Sequence, residues 1–219
     1  MDVHIRPYRH SDLRCVREIY AAGVHEHFPR ARQHILHQPW ALPCLVLLAG
    51  LPLCLPASLV LRMVLSALVL AVCHLGLASL WSSIIQRNLR EDLLDIGRSY
   101  MMNEGACFWV AECEGKVVGT VGICPSEENP SHLELKRMNV VMGYRGRGIA
   151  KALCRTVLHF AQDRDCPDVV LRTSVIQTEA QALYHKMGFR LVGTTVPPYL
   201  LARLTNYTIQ RYHYTVAHH

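Results

Sequence analysis

Blocks of like charge and closely spaced cysteine pairs are both missing from this 219-residue chain. Lys and Arg outnumber Asp and Glu by 23 to 17, but the basic residues are not interleaved with aromatic residues as they are on nucleic-acid surfaces. The nine cysteines contain no C-x-x-C pair, which argues against a disulfide framework and favours a reducing compartment. The first residues, MDVHIRPYRHSDL, lack the apolar core of a signal peptide. Because the basic residues lack the interleaved aromatic residues of a nucleic-acid surface, we expect no nucleic-acid partner.

Charge is also scarce in residues 41–81, where Arg62 is the one formal charge. Arg62 leaves 21 uncharged residues before it and 19 after it, and about 20 residues are needed to cross the hydrocarbon of a bilayer. Two transmembrane helices with Arg62 at the far turn fit these lengths. Pro43, Pro52 and Pro56 leave a re-entrant wedge as an alternative. A buried hairpin in the core of a soluble protein is the less favoured interpretation.

Globular sequence lies on both sides of this apolar segment, so the segment must return to the side from which it entered. We divide the chain into residues 1–40, which hold the first strand and helix of the globular domain, a membrane hairpin at 41–81, and the remainder of the domain at 82–219. Basic residues favour cytosolic flanks, which places the domain in the cytosol. The flanking arginines are Arg30 and Arg32 before the segment, and Arg87, Arg90 and Arg98 after it.

Outside the apolar segment, alternation and helical periodicity predict an α/β domain. A strand at 3–8 precedes a helix that is capped by Ser11 or Asp12 and ends near Gly23. The amphipathic sequence after Trp81 predicts another helix. Further strands are predicted at 106–112, 116–124, 132–141, 168–175, 189–195 and 202–215, and further helices at 147–162 and 178–188.

The stretch MGYRGRGIAKALC, residues 142–154, predicts an anion-binding turn between a strand and a helix. Amide groups in the first turn of a helix lack intrahelical partners and carry the positive end of the helix dipole, and glycines let a phosphate approach them. The stretch lacks the Gly-Lys-Ser/Thr ending of a Walker A loop and the third glycine of a dinucleotide fingerprint. An ordinary glycine turn remains the alternative. The residues predicted to bind are Arg145, Gly146, Arg147, Gly148, Ile149, Ala150 and Lys151.

Two separated motifs resemble those of the GCN5-related N-acetyltransferase (GNAT) superfamily. R-x-x-G-x-A at 145–150 resembles its acetyl-CoA pyrophosphate loop, and Ala182-Leu183-Tyr184 with Gly188-Phe189 resembles its "ALY…GF" helix. The resemblance covers roughly residues 3–24 and 100–215. More narrowly, CFWVAE, EGKVVG, GIAKAL and the apolar insert are similar to the camello-like membrane N-acetyltransferases, a family that includes cysteine-S-conjugate and aspartate N-acetyltransferases.

This resemblance implies a mixed central sheet with flanking helices, interrupted after the first helix by the transmembrane or re-entrant hairpin. It implies acetyl-CoA as co-substrate, held along a fourth strand that splays from the fifth. We expect no metal, since the histidine spacings are weak signals. A backbone amide near Met138–Val140 would polarise the acetyl oxygen, so Met138 and Val140 join the predicted binding residues. Tyr184 is the predicted acid, although a core tyrosine is the alternative. Glu134 is the predicted base, although a solvated rim carboxylate is equally compatible.

The resulting expectation is an acetyl-CoA-dependent N-acetyltransferase that acts on a small amine, most simply a cysteine S-conjugate. Acetylation of protein lysines in the secretory pathway, and a non-catalytic protein of this fold in trafficking or cell adhesion, are the alternatives. The family implies a membrane-lipid contact at the endoplasmic reticulum or a Golgi-proximal membrane. His25, His27, His34 and His37 are expected to be interfacial rather than metal-binding. Asn206-Tyr207-Thr208 matches a glycosylation pattern that a cytosolic domain would not use.

Overall fold

A computed structural model describes the protein from residue 3 to residue 216. Its centre is a seven-stranded sheet with the order β1-β2-β3-β4-β5-β7-β6. The pairing is antiparallel throughout except between β4 and β5, so the predicted mixed sheet is confirmed. The strands are β1 Val3–Pro7, β2 Cys107–Cys113, β3 Lys116–Pro125, β4 Leu133–Val140, β5 Asp168–Ser174, β6 Arg190–Thr195 and β7 Ile209–Thr215.

The helices of the described residues cover both faces of this sheet. They are α1 Leu13–His25, α2 Phe28–Leu36, α3 Ala41–Gly50, α4 Leu59–Arg90, α5 Ile149–Gln162, α6 Thr178–Lys186 and α7 Leu200–Leu204. Alternate residues of β2 enter two different cores, because successive side chains of a strand point to opposite faces. Trp109 and Ala111 pack in a core with residues of α5, whereas Phe108 and Val110 pack in a core with residues of α1 and the end of α4.

The two parallel strands stay together over a short distance only. Pairing between β4 and β5 runs from Leu133 to Leu135 on β4, opposite Val169 to Leu171 on β5. Since β4 continues to Val140 with β3 as its paired neighbour, the later half of β4 has an open edge on the β5 side within the described strands. The separation of strands four and five that the family resemblance implies is thus present.

The apolar segment forms a hairpin with unequal arms, and the predicted boundary at Arg62 is wrong in detail. The first arm, α3, ends at Gly50, and the second, α4, begins at Leu59 and continues to Arg90 without a break before the predicted amphipathic helix. Arg62 lies in the first turn of α4, where its guanidinium donates to the carbonyl oxygens of Ala57 and Leu53 at 2.8 and 3.2 Å. The prolines of the connecting stretch end the first helix earlier than the charge pattern indicates, since proline cannot donate a backbone hydrogen bond.

Hydropathy and exposure set α4 apart from a core helix. Its 18-residue apolar window has a mean hydropathy of 2.2 and none of that window is buried in the protein. In the described chain, α4 is the one single helix that is long and apolar enough to cross a membrane. The segments His10–Leu36 and Ala41–Cys54 also meet these length and hydropathy criteria when they are taken together, although the chain bends by 87° between them.

The last predicted strand, at 202–215, begins only at Ile209. The residues before it form α7 and a turn in which Asn206 has a φ of +50°, a left-handed conformation that a strand does not accommodate. This connection rests on the base of the hairpin, where the indole nitrogen of Trp40 donates to the Leu204 carbonyl at 2.7 Å. The Asn206 amide also donates to Gln38 at 3.1 Å.

Candidate active site

The glycine turn has the backbone geometry of an anion cradle. Gly146 and Gly148 adopt φ values of +76° and +82°, and a Cβ atom at either position would meet no atom within 4 Å. The backbone conformation, rather than lack of space, therefore requires glycine at both positions. Helix α5 starts at Ile149, whose side chain is buried, and the amide of Ala152 donates to the Gly148 carbonyl at 3.0 Å. The amides ahead of Ala152 belong to the first turn, whose N–H groups lack intrahelical acceptors.

The three predicted cations of the turn differ in their surroundings. Arg145 donates from Nε to the Val140 carbonyl at 2.9 Å and pairs through Nη2 with Glu26 at 2.5 Å. This arginine fixes the turn to the end of β4 and to the end of α1, so its guanidinium is already committed to protein partners. Arg147 stacks over the ring of Tyr144 at 5.3 Å, and Lys151 is exposed on the first turn of α5.

A cavity of about 650 Å³ lies where β4 and β5 separate. Its wall brings together residues from β4, β5, α6, the later half of α4, and the connection between β6 and β7. The predicted site residues Glu134, Met138 and Tyr184 all lie on this wall. Val140 instead packs in the core beside β3 and α5. The structure thus unites the two predicted catalytic residues, which are 50 positions apart, in one cavity.

Glu134 is a buried carboxylate with two cationic partners. Arg172 donates to both of its oxygens, from Nε at 2.8 Å and from Nη2 at 3.1 Å, and the Lys136 ammonium lies 3.4 Å from Oε2. Only 4% of the Glu134 side chain is accessible to solvent, so the interpretation of a solvated rim carboxylate does not hold. About four lone-pair positions exist on a carboxylate, and three of them face these cations.

Tyr184 lies on α6 with its ring between Phe189 and Tyr212, at centroid distances of 5.7 and 6.1 Å. Burial raises the pKa of its phenol, and the thiol of Cys154 nearby adds to the effect. Among the described residues, no side chain or backbone group hydrogen-bonds the Tyr184 hydroxyl. Its ring belongs to the core, while the residue also borders the cavity.

A bulge in β4 shapes the cavity wall. Asn139 of β4 pairs with Thr120 of β3, and Lys136 pairs with Gly122. Two residues of β4, Arg137 and Met138, therefore lie opposite a single residue of β3. Arg137 has a φ of +58°, a strained conformation for a side chain of this kind. Strain of this type clusters at functional sites and persists where the surrounding structure holds it.

The side chain of Arg137 is held by residues that lie far away in the sequence. Its guanidinium pairs with Asp92 at 2.9 and 2.5 Å and donates to the Tyr20 hydroxyl at 3.0 Å. Tyr100 donates to the same carboxylate, and Asn88 of α4 lies 3.5 Å from Arg137. This network links the β4 bulge to the end of the long apolar helix. The sequence does not reveal this network, because a solvated arginine and a buried one look alike in a sequence.

We expect Asp92→Asn to destabilise the protein by about 1.5–3 kcal/mol, the range for hydrogen bonds to charged groups. Burial alone would raise the pKa of Asp92, but the hydrogen bonds and charge of Arg137 outweigh it and lower that pKa. Since the pKa of Asp92 is lower in the folded than in the unfolded protein, its ion pair stabilises the fold above the unfolded value of about 3.9. This stabilisation is lost as the pH falls through the folded pKa. Denaturant unfolding at pH 7 and at pH 3 measures the free energy of unfolding of both proteins. An equal destabilisation by Asp92→Asn at the two pH values would contradict the prediction.

Arg87 is a further cavity residue, and no motif in the sequence marks it as part of the site. It follows the apolar part of α4 and lies on the cavity wall with Trp81 and Ile84. Among the described residues its guanidinium has no hydrogen-bonded or ion-paired partner, in contrast to Lys136 and Arg137. An unpaired cation next to apolar side chains can bind the carboxylate of an amphiphilic molecule.

Comparison with known proteins agrees with this geometry. Residues 77–189 match the acetyltransferase (GNAT) family. The chain is 38% identical over 215 residues to a probable N-acetyltransferase camello of Xenopus tropicalis, which covers 98% of each chain. It is 40% identical over 196 residues to N-acetyltransferase 8F1 of Mus musculus, with 87% of each covered, and 40% identical over 193 residues to human N-acetyltransferase 8B, with 87% of this chain and 85% of the relative covered.

Solved structures share the fold at low sequence identity. A GNAT-family acetyltransferase of Staphylococcus aureus Mu50 matches 99% of this chain and all of its own, with a TM-score of 0.60 and 19% identity. A Bacillus anthracis acetyltransferase in complex with acetyl coenzyme A matches 55% of this chain and 68% of its own, with a TM-score of 0.50 and 17% identity. The chain therefore belongs to the GNAT superfamily and to its camello-like family, and it is an acetyl-CoA-dependent N-acetyltransferase.

Proposed function

We propose that this enzyme acetylates the amine of a small amphiphilic acid, and that a cysteine S-conjugate is its preferred acceptor. The observation that carries this proposal is the composition of the cavity wall. One side presents Glu134 and Tyr184, while the side formed by α4 presents Arg87 beside Trp81 and Ile84. An acceptor with an amine, a carboxylate and an apolar substituent fits both sides at once.

In the proposed reaction, the diphosphate of acetyl-CoA binds the amides of the glycine turn and its thioester arm lies along the open edge of β4. The bulge at Arg137 and Met138 then directs a backbone amide of β4 towards the acetyl oxygen. The acceptor nitrogen attacks the carbonyl carbon, the carbon–sulfur bond breaks, and the thiolate leaves. Acetyl transfer therefore requires one proton to leave the amine and one proton to reach the sulfur.

We assign these two proton transfers to two different residues of the cavity wall. Glu134 removes the amine proton through a water molecule, because Arg172 and Lys136 leave about one of its lone-pair positions to accept a proton. Tyr184 donates to the sulfur. Its raised pKa keeps the phenol protonated and able to donate.

The acceptor's carboxylate is assigned to Arg87 and its apolar substituent to the Trp81 and Ile84 surface. The guanidinium offers paired donors to a carboxylate, and the indole and aliphatic side chains offer apolar contact. Because all three lie on the helix that carries the apolar segment, an acceptor dissolved in the lipid interface reaches the cavity directly. This arrangement supports a cysteine conjugate over free aspartate, which has no apolar substituent.

An acceptor screen with purified protein and labelled acetyl-CoA tests this assignment. We expect S-benzyl-cysteine to be acetylated with a higher kcat/KM than aspartate or a lysine peptide. We expect Arg87→Gln to raise the KM for S-benzyl-cysteine about tenfold or more, a loss of one charge-assisted contact, and to leave its carboxamide analogue unchanged. Preference for the peptide would favour a protein lysine acetyltransferase, and acetyl-CoA binding without turnover on any amine would favour a non-catalytic role.

We further propose that residues 41–81 anchor the enzyme as a re-entrant wedge on the cytosolic face of the endoplasmic reticulum or a Golgi-proximal membrane. The ten residues of α3 extend about 15 Å, half of the roughly 30 Å hydrocarbon core. His74 of α4 contacts Phe28 of α2 at a ring distance of 6.2 Å, so α4 projects beyond the domain only from Leu59 to Cys73, about 22 Å.

The surface around the hairpin base supports the same placement. The connection between β6 and β7 exposes a group of apolar side chains next to Trp40, with Leu200 71% and Leu204 47% accessible. Large exposed apolar areas of this kind are typical of membrane or protein contacts.

Cys54 lies in the connection between α3 and α4, and its accessibility to labelling shows how deep the hairpin inserts. In sealed microsomes carrying a variant with Cys54 as its one cysteine, we expect no labelling by a membrane-impermeant maleimide from either side, because a wedge keeps the tip in hydrocarbon. A second variant with Cys15 of α1 as its one cysteine is the matched control and should react from the cytosolic side, since Cys15 is exposed on the folded domain. Labelling of Cys54 from the luminal side would establish two full crossings instead.

A further inference from the structure

A cluster of two histidines and an aspartate lies at the closed end of the parallel strand pair. His132 immediately precedes β4, Asp168 is the first residue of β5, and His213 lies on β7 opposite Val170. Their ligand atoms all lie within 4.8 Å of one another, and all three side chains are partly buried. Among the described residues this is the one group of three metal-ligating side chains, so the four histidines of residues 25–37 do not form such a group.

The distances in this cluster are short, but the geometry is not that of hydrogen bonds. His213 Nε2 lies 3.0 Å from Asp168 Oδ1, yet that buried nitrogen has no hydrogen-bond partner because the angle is unsuitable. His132 Nε2 lies 3.3 Å from Asp168 Oδ2. Both ring nitrogens thus approach the carboxylate closely while at least one points past it. The three potential ligand atoms are therefore close together without a hydrogen bond that joins either histidine to the carboxylate.

A neighbouring amide indicates which form of His132 is present. Asn129 accepts the Ser131 amide and hydroxyl through Oδ1, at 3.1 and 2.8 Å, which orients its NH₂ group. That NH₂ group lies 3.0 Å from His132 Nε2 and therefore donates to it. Nε2 then carries its single lone pair, which accepts from Asn129 and would pass to a metal ion that binds between Nε2 and the anionic oxygen 3.3 Å away. Two electron-rich atoms at this distance are stabilised by a cation between them.

We propose that His132, Asp168 and His213 bind a zinc ion. Two imidazoles and one carboxylate are a donor set that suits Zn²⁺, and a water molecule would complete four-coordination. In a tetrahedral site with bonds of about 2.0–2.1 Å, neighbouring ligand atoms are roughly 3.3 Å apart. The nitrogen–oxygen distances, 3.0 Å to Oδ1 and 3.3 Å to Oδ2 of Asp168, are close to this spacing, so binding requires side-chain rotations and the release of His132 Nε2 from Asn129.

The position of the cluster assigns the ion a structural task. It joins β4, β5 and β7 at the end where β4 and β5 still pair, a contact of three residue pairs. Glu134 is two residues along β4 from His132, so a clamp here fixes the start of the strand that carries the proposed base. The ion itself lies outside the acetyl-transfer chemistry. The sequence pattern predicted no metal, and it does not mark these three ligands because they are separated by 36 and 45 residues and form no motif.

Metal titration of the full-length protein in detergent, with its thiols kept reduced, tests the proposal. We use Co²⁺ as a spectroscopic probe and Zn²⁺ as its competitor. We expect one Co²⁺ per chain to produce the visible bands of a tetrahedral site without a thiolate charge-transfer band, and Zn²⁺ to displace it and raise the thermal midpoint. Asp168→Asn and His213→Gln should each weaken binding by more than the 10- to 100-fold typical of a change outside the ligand shell.

His159→Gln is the matched control, because this histidine is exposed on α5 and belongs to no cluster. It should bind Co²⁺ like the unaltered protein. Retained acetyl-CoA binding shows that each variant is folded, and if Asp168→Asn does not fold, His213→Gln decides the question. The same Co²⁺ content and spectrum in all of these proteins would overturn the proposal. A spectrum dominated by thiolate charge transfer would also overturn it, because the metal would then be bound by some of the chain's nine free cysteines. The readout is metal content, so it is independent of the acceptor.

Discussion

Replacing Gly148 with glutamate is expected to weaken acetyl-CoA binding by about 100-fold or more. Gly148 has a φ of +82°, and a non-glycine residue in this left-handed region costs about 1–2 kcal/mol. The added carboxylate would also stand at the start of α5, where it neutralises the positive end of the helix dipole and repels a diphosphate. Together these effects amount to about 3 kcal/mol, and 1.4 kcal/mol corresponds to a tenfold change. Calorimetric titration with acetyl-CoA measures the loss.

Two companion variants separate the causes. Gly148→Ala adds the backbone strain without the charge. We expect the turn of the free variant to relax out of the left-handed conformation, so that restoring the turn weakens binding about tenfold. Gly143→Glu adds the same charge five residues earlier, at an exposed glycine whose φ is not in the left-handed region, and should change binding only a few-fold. If Gly148→Glu bound acetyl-CoA as the unaltered enzyme does, the glycine turn would not be the diphosphate site.

Local patterns account for what the sequence could predict. The strand, glycine turn and helix at 132–162 were recognisable because the residues that form them are neighbours in the chain, and the structure places them at Leu133–Val140 and Ile149–Gln162. Glu134 and Tyr184 were found through the family resemblance, and the cavity brings them together. Their roles in catalysis stay predictions.

Contacts between distant residues account for what could not be predicted. The pairing of Arg137 with Asp92 and of Glu134 with Arg172 depends on the folded sheet, and neither pair has a sequence spacing that marks it. The pairing of Arg145 with Glu26 is likewise unmarked in the sequence, and phosphate binding by Arg145 stays a prediction. The connection between α3 and α4 lies earlier than Arg62 because prolines and a helix cap decide where these helices end and begin. The Ser58 side chain accepts from the Leu61 amide and caps α4.

The second large effect is expected at Tyr184. Changing it to phenylalanine removes the proposed proton donor, and general acid catalysis typically contributes about 100- to 10,000-fold to the rate. We expect kcat to fall within that range while acetyl-CoA affinity stays constant, because the ring and its packing against Phe189 and Tyr212 are preserved. Stability should change little, since the hydroxyl has no hydrogen-bond partner among the described residues.

Tyr212→Phe is the matched control for the loss of a hydroxyl in the same aromatic group. The Tyr212 hydroxyl donates to Gln210 at 3.0 Å and lies 3.3 Å from His185, so its removal should cost about 0.5–1.5 kcal/mol of stability and leave kcat nearly unchanged. Single-turnover measurements of both variants isolate the chemical step from product release. Because burial raises the pKa of Tyr184, the alkaline limit of kcat should lie above the value of about 10 for a free phenol. A Tyr184→Phe enzyme with an unchanged single-turnover rate would show that the leaving thiolate takes its proton from elsewhere, and Tyr184 would then be a core residue alone.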